Sequence, residues 1–171
     1  KAQASLTYGG YTSLVYATGI LGGMIADRYL GYQRSIILGG LLMAVGCFML
    51  LSPEIHLFLI GLAVIVAGNG LFKPNISTMV GKLYAPGDVR RDSGFTIFYM
   101  GINAGAFVAP LITAVWIGAN YGYKYGFLAA AIGMIFGIAV FQVRKGMLGH
   151  VGKSPAGREG WGPVLNVLVG A

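Results

Sequence analysis

Apolar residues run along this chain in long blocks, and the charges fall between the blocks. Charge-free stretches cover residues 2–26, 35–53, 55–72, 93–123 and 125–143. Each reaches or approaches the ~17–25 residues a membrane-spanning helix needs. The pattern predicts five spans, at 8–26, 35–51, 57–84, 93–118 and 124–143. Ser52-Pro53-Glu54 and Asn120-Tyr121-Gly122-Tyr123 read as tight turns, because Pro and Gly break the helices there. Residues 1–145 therefore form the helical region. Residues 146–171, glycine-rich with Pro155 and Pro163, read as a cytoplasmic linker or the start of a further segment. The fold class is all-α, a polytopic membrane helix bundle.

Composition agrees, with 56% hydrophobic and 10% charged residues, which excludes an ordinary soluble domain. The net charge of +7 invites a nucleic-acid reading, and the charge positions reject it. Arg28, Arg34, Lys82, Arg90, Arg91, Arg144, Lys145, Lys153 and Arg158 fall on one side of the five-span zigzag, with Lys1 and Lys124 on the other. That asymmetry places 27–34, 82–92 and the tail after Val143 in the cytoplasm, and the chain start outside. No basic, cleavable signal region precedes the first span, so the start reads as an interior cut. The expected location is a plasma or inner membrane, crossed several times.

One cation breaks the pattern. Lys73 stands within the apolar stretch 57–84, with no carboxylate beside it in sequence. An ammonium at mid-bilayer costs at least a few kcal/mol, so such residues face polar pathways. Tyr16 lies eleven residues before Asp27, Lys73 eleven before Tyr84, and Asn103 ten after Ser93. At ~1.5 Å per residue all three sit roughly 15 Å from the cytoplasmic boundary, near the middle of the hydrocarbon. Three polar side chains at one depth mark a candidate central site. Interhelical hydrogen bonding is the alternative use of Tyr16 and Asn103.

Near Lys73, Gly68, Gly70 and Pro74 weaken the helix and favour a kink. Asn69 and Ser77 extend a polar stripe on its face, Ser77 as a back-bonder to the helix. Asn75-Ile76-Ser77 spells a glycosylation sequon that its place in a span makes meaningless. Glycines four apart, Gly19/Gly23, Gly101/Gly105 and Gly133/Gly137, are expected at helix contacts.

Other chemistry finds little footing. Cys47 is a lone thiol in an apolar span, and His56 and His150 have no second ligand at helical spacing, so neither metal nor cofactor is implied. Asp88 and Asp92 beside Arg90 and Arg91 read as a hydrated loop with helix-start capping. No nucleophile–base pair or phosphate-cradling loop occurs, so no catalytic residue and no enzyme activity are expected.

The segment from Gly23 through Asp27, Arg28 and Gly31 to Arg34 resembles the G-x-x-x-D-R-x-x-G loop of the major facilitator superfamily. A boundary carboxylate there can meet a helix N-terminus and a basic side chain, locking one conformation. Residues 22–46, the run Phe95-Thr96-Ile97-Phe98-Tyr99-Met100-Gly101-Ile102-Asn103-Ala104-Gly105-Ala106-Phe107, and Gly68-Asn69-Gly70-Leu71-Phe72-Lys73-Pro74-Asn75-Ile76-Ser77 together resemble the proton-coupled oligopeptide transporter (POT) family of that superfamily.

The resemblance implies helices two to six of a transporter of twelve or more helices, within its N-terminal six-helix half. It implies a symporter importing di- and tripeptides with protons, whose partners are peptide, protons, lipid bilayer and the remaining helices. Tyr16, Lys73 and Asn103 take substrate-binding positions, with Lys73 also coupling protons. Gly23, Asp27, Arg28 and Arg34 take gating positions. The family's E-x-x-E-R motif on the first helix is absent from this stretch. Relatives carrying nitrate or other small solutes, and a non-transporting membrane scaffold, are the alternatives.

Overall fold

A computed structural model describes residues 2–153, and the side chains of residues 8–10 and 12–153. Five long helices appear among the described residues. They are α1 (Ala2–Ile25), α2 (Tyr32–Met49), α3 (Ile55–Lys82), α4 (Arg90–Pro110) and α5 (Tyr123–Arg144). Stretches of Tyr32–Met49, Ile55–Lys82, Arg90–Tyr121 and Tyr123–Leu148 are long and apolar enough to cross a membrane. The chain is an all-α helix bundle.

Where the sequence predicts a loop over 27–34, the helix barely stops. α1 continues through a π-helical turn, Ala26–Leu30, and only Gly31, at φ 74°, reverses the chain before α2. The reason is local: Ala26 and Leu30 are buried and hold the turn, while glycine alone supplies the left-handed backbone. Likewise α4 does not end at Pro110. It widens into a π-helical tract, Leu111–Gly118, and closes with Ala119–Tyr121 before Gly122 at φ 104°. A proline lacks the N–H that a regular turn would use, and wider turns commonly accommodate such interruptions.

α3 is the centre of the bundle, with α2 and α1 packed against it and α5 packed against α2. Glycines set the closeness. A Cβ on Gly39 would lie 2.6 Å from the Gly68 carbonyl oxygen, and one on Gly46 2.8 Å from that of Gly61. These residues recur seven apart on each helix, the spacing that keeps one face turned to a crossing neighbour. The four-apart pairs anticipated from sequence are not the contact points. A Cβ on Gly19, Gly23, Gly101, Gly105, Gly133 or Gly137 would meet nothing within 4 Å among the described residues. Gly68 and Gly70, expected to soften α3, instead admit neighbouring backbones, and α3 runs helical through Pro74.

The outer faces remain apolar. Ile97, Phe107, Trp116 and Phe136 are exposed, and α4 buries none of its residues. Such surface suits lipid or further helices.

Beyond α5 the chain turns back toward the start of α2 over residues 145–153. A 3₁₀ turn, Lys145–Leu148, leads to Gly152, whose carbonyl accepts from the Gln33 backbone N–H at 2.9 Å. Gln33 Nε2 donates to the Val151 carbonyl at 2.7 Å. The remainder of the expected linker, 154–171, lies outside the described residues.

Candidate functional site

The two helices that carry Tyr16 and Lys73 are held together along a seam of small and polar residues. A Cβ on Gly70 would lie 2.7 Å from the Thr18 carbonyl oxygen, and one on Gly22 would run into the Gly70 carbonyl. Thr18 Oγ1 donates to Leu14 within α1 at 2.8 Å and reaches the Val66 carbonyl of α3 at 3.3 Å. One turn further on, Asn75 is 1% exposed and its Nδ2 donates to the Gly22 carbonyl at 3.2 Å and the Leu71 carbonyl at 2.7 Å. With no Cβ between them the helices approach at backbone distance, and the amide fixes their register.

That seam determines what Lys73 meets. Its Nζ lies 5.7 Å from the centroid of the Tyr16 ring, within cation–π range. No carboxylate pairs with Lys73 among the described residues, and both side chains are exposed on an open face of the bundle. An ammonium steadied by a ring, with its other donors unused, is available to an anionic group. Ser77 Oγ donates to the Lys73 carbonyl at 3.2 Å, the back-bonding expected of it. Asn103 stands apart: it is exposed on α4, which touches α3 only lightly. Tyr99, on the same helix, belongs to an aromatic group, its ring 5.6 Å from Phe98 and 6.3 Å from Phe95.

At the helix ends a second polar group forms. Asp27 accepts a hydrogen bond from the Tyr32 hydroxyl, and that hydroxyl accepts from Lys82 Nζ at 2.8 Å. Lys82 also lies 4.4 Å from the Tyr32 ring centroid. The carboxylate at the end of α1 is thus linked to a cation at the end of α3 through one phenol. Arg28 and Arg34 are both engaged by neighbours. Gly23 faces open space, and Gly22 beside it makes the close contact.

Sequence reasoning missed Asn75, Tyr32 and Lys82. For Asn75 the available signal was an amide flanking the lysine inside an apolar helix. For Tyr32 and Lys82 the contact is tertiary, and no spacing along the chain discloses it.

In the loop before α4, Asp88 takes the helix-start role. Its Oδ1 accepts from the Arg90 backbone N–H at 2.9 Å, and its Oδ2 meets Arg90 Nη2 at 2.8 Å. Hydrogen bonds from the Arg90 side chain and backbone hold its carboxyl down at about 2. Among the described residues no group of three or more His, Cys, Asp or Glu is placed to hold a metal.

Comparison with known proteins bears on the whole bundle. The chain is 46% identical over 160 residues to a di-/tripeptide transporter of Lactococcus lactis subsp. lactis, covering 91% of this chain and 32% of that protein. It is 43% identical over 145 residues to the peptide transporter YePEPT of Yersinia enterocolitica, covering 83% of this chain and 28% of the relative. A crystal structure of a mutant of the peptide transporter POT in complex with alafosfalin superposes with a TM-score of 0.80 at 44% identity, covering 94% of this chain and 34% of that one. The chain therefore spans about a third of the length of the relatives it matches. A sequence model described as the POT family matches residues 33–157, and the chain belongs to that family, its helices forming part of a major facilitator superfamily bundle.

Proposed function

We propose that this chain forms part of a proton-coupled symporter that imports di- and tripeptides. The observation that carries the reading is the Lys73 ammonium, seated over the Tyr16 ring with no carboxylate partner among the described residues. Relatives named as peptide transporters, similar over most of this chain, support the substrate class.

In this reading the peptide carboxylate and an acidic residue elsewhere in the transporter compete for Lys73, and proton and peptide exchange for that pairing. The Tyr16 ring and hydroxyl wall the pocket, and Asn103 hydrogen-bonds the peptide backbone from α4. Gly23, Asp27, Arg28 and Arg34 form the gating region, with Asp27 held through Tyr32 to Lys82 until the helix ends separate. The bundle lies in a cell membrane, with the α1–α2 and α3–α4 connections and the segment after α5 facing the cytoplasm.

The test is uptake by the full-length protein in vesicles carrying a proton gradient. Lys73→Ala is expected to abolish gradient-driven accumulation of a dipeptide while leaving membrane insertion intact. Normal accumulation by that variant defeats the assignment.

A further inference from the structure

At the helix ends that carry the excess of Lys and Arg, a cavity of about 890 Å³ opens between four separate parts of the chain. Tyr32 comes from the start of α2, Lys82 from the end of α3, Arg91 from the start of α4, and His150 and Lys153 from the turn after α5. No carboxylate lines it among the described residues.

The cavity is built rather than incidental. His150 and Lys153 belong to the fold-back that Gln33 holds by two hydrogen bonds, at 2.9 Å to the Gly152 carbonyl and 2.7 Å to that of Val151. Gly152, buried at φ 79°, packs against Gln33 and Met79, where a Cβ would come within 3.2 Å and 3.1 Å of their side chains. Lys82 is oriented by the Tyr32 hydroxyl at 2.8 Å. Arg91 sits 5.9 Å over the Phe95 ring and makes no ion pair among the described residues. The nearby acids are otherwise committed, Asp27 to Tyr32 and Asp88 to Arg90.

We infer that this cavity is a binding site for the phosphate headgroup of an anionic phospholipid. A guanidinium and two ammonium groups lining one cavity, with no carboxylate in its wall among the described residues, match a phosphate's charge and its many acceptor oxygens. The lipid is the favoured source of that phosphate because the cavity opens at the end of spanning helices, where the cytoplasmic leaflet concentrates anionic headgroups. Exposed Val89 and Leu83 nearby on the α3–α4 connection are apolar enough to lie against the acyl boundary. The orientation rests on the transport reading above, and the site's chemistry does not.

The test is native mass spectrometry of the full-length protein with phosphatidylglycerol, beside dipeptide uptake by the same preparation. Phosphatidylglycerol is expected to remain bound where phosphatidylcholine is lost. Replacing both Arg91→Gln and Lys153→Gln should lower its retention about thirtyfold, from two surface cations removed. Gln33→Ala keeps every cation and the backbone hydrogen bond to Gly152 but removes the side-chain bond to Val151, which loosens the fold-back and should also weaken retention. Equal retention of the two lipids, or no response to the double variant, overturns the inference. So does displacement by millimolar glycerol phosphate, which would make the site one for soluble phosphate esters. Selective retention without peptide uptake would sink the transport reading and leave this site standing. Uptake without selective retention would do the reverse.

Discussion

Lys73 of α3 rests its ammonium 5.7 Å from the centre of the Tyr16 ring on α1. The ring face, and not the hydroxyl, is what the cation meets, which separates two variants. Tyr16→Phe keeps the face and should retain most gradient-driven uptake. Tyr16→Leu removes it, and a lost cation–π contact of about 0.5–2 kcal/mol implies a fall of roughly twofold to thirtyfold in apparent peptide affinity. Equal losses in concentration-dependent uptake would transfer the role to the hydroxyl.

Gly22 and Gly133 make a matched pair for stability. Gly22→Ala drives a methyl group into the Gly70 carbonyl, while a Cβ on Gly133 meets nothing within 4 Å. Overpacking of this kind costs about 1–3 kcal/mol. Thermal unfolding in detergent should show a lowered midpoint for Gly22→Ala and a smaller change for Gly133→Ala. The reverse order would contradict the α1–α3 seam.

Asn75 should matter more than its sequon suggests. Asn75→Ala removes the amide donated to the Gly22 and Leu71 carbonyls and leaves a hole where the side chain is 1% exposed. Interhelical hydrogen bonds in membranes average about 0.6 kcal/mol, and the cavity adds to that. The expected outcome is a loss of about 1–3 kcal/mol, read by denaturant titration of the full-length protein. An unchanged midpoint would make the amide dispensable.

Asp88 yields a pH prediction. Arg90 lowers its carboxyl from 3.8 to about 2 in the folded chain, below its unfolded value. Its contribution to the start of α4 is therefore complete above about pH 4 and disappears as the pH falls through 2. Carboxyl carbon chemical shifts should titrate Asp88 near pH 2, and Arg90→Gln should bring that midpoint back toward the ordinary value. A wild-type midpoint near 4 would show that the pairing does not persist in solution.

Tyr32→Phe cuts both hydrogen bonds that join Asp27 to Lys82 and alters nothing else in the contact. If the link holds one conformation, its loss shifts the balance between states, and spin-label distances across the helix ends should change. An unaltered distance distribution would remove this phenol from the gating region.

The bundle was legible, and Lys73 conspicuous within it, because the bilayer leaves so few choices. Long apolar runs must be helices, and an ammonium inside one has to face something polar. The pairing of Lys73 with Tyr16 was visible only as a shared depth, since helix rotation is set by neighbours. The glycine contacts were misplaced because a spacing of four marks one kind of crossing, while Gly39, Gly46, Gly61 and Gly68 follow a spacing of seven. Asn75 left only the trace of an amide in an apolar helix, since its partner Gly22 lies on another helix. Hidden altogether was the fold-back onto Gln33, which joins residues 118 apart in sequence. Long-range hydrogen bonds leave no periodic trace. The widened turns after Pro110 were equally unreadable, because proline marks a disturbance without specifying its form.

Where one main chain rests directly on another, as Gly39 does on Gly68 and Gly22 on Gly70, nothing hinged lies between them to swing aside. A leucine can change rotamer to let a neighbour slide, whereas a carbonyl locked into its own helix cannot. Along the stretch of those contacts α1, α2 and α3 are therefore held as one unit, with the ammonium and its aromatic seat as part of it. At the helix ends, Asp27 and Lys82 are joined through a side chain that can let go. Freedom to shift is left to the flank, along α4, which buries none of its residues and touches α3 only lightly.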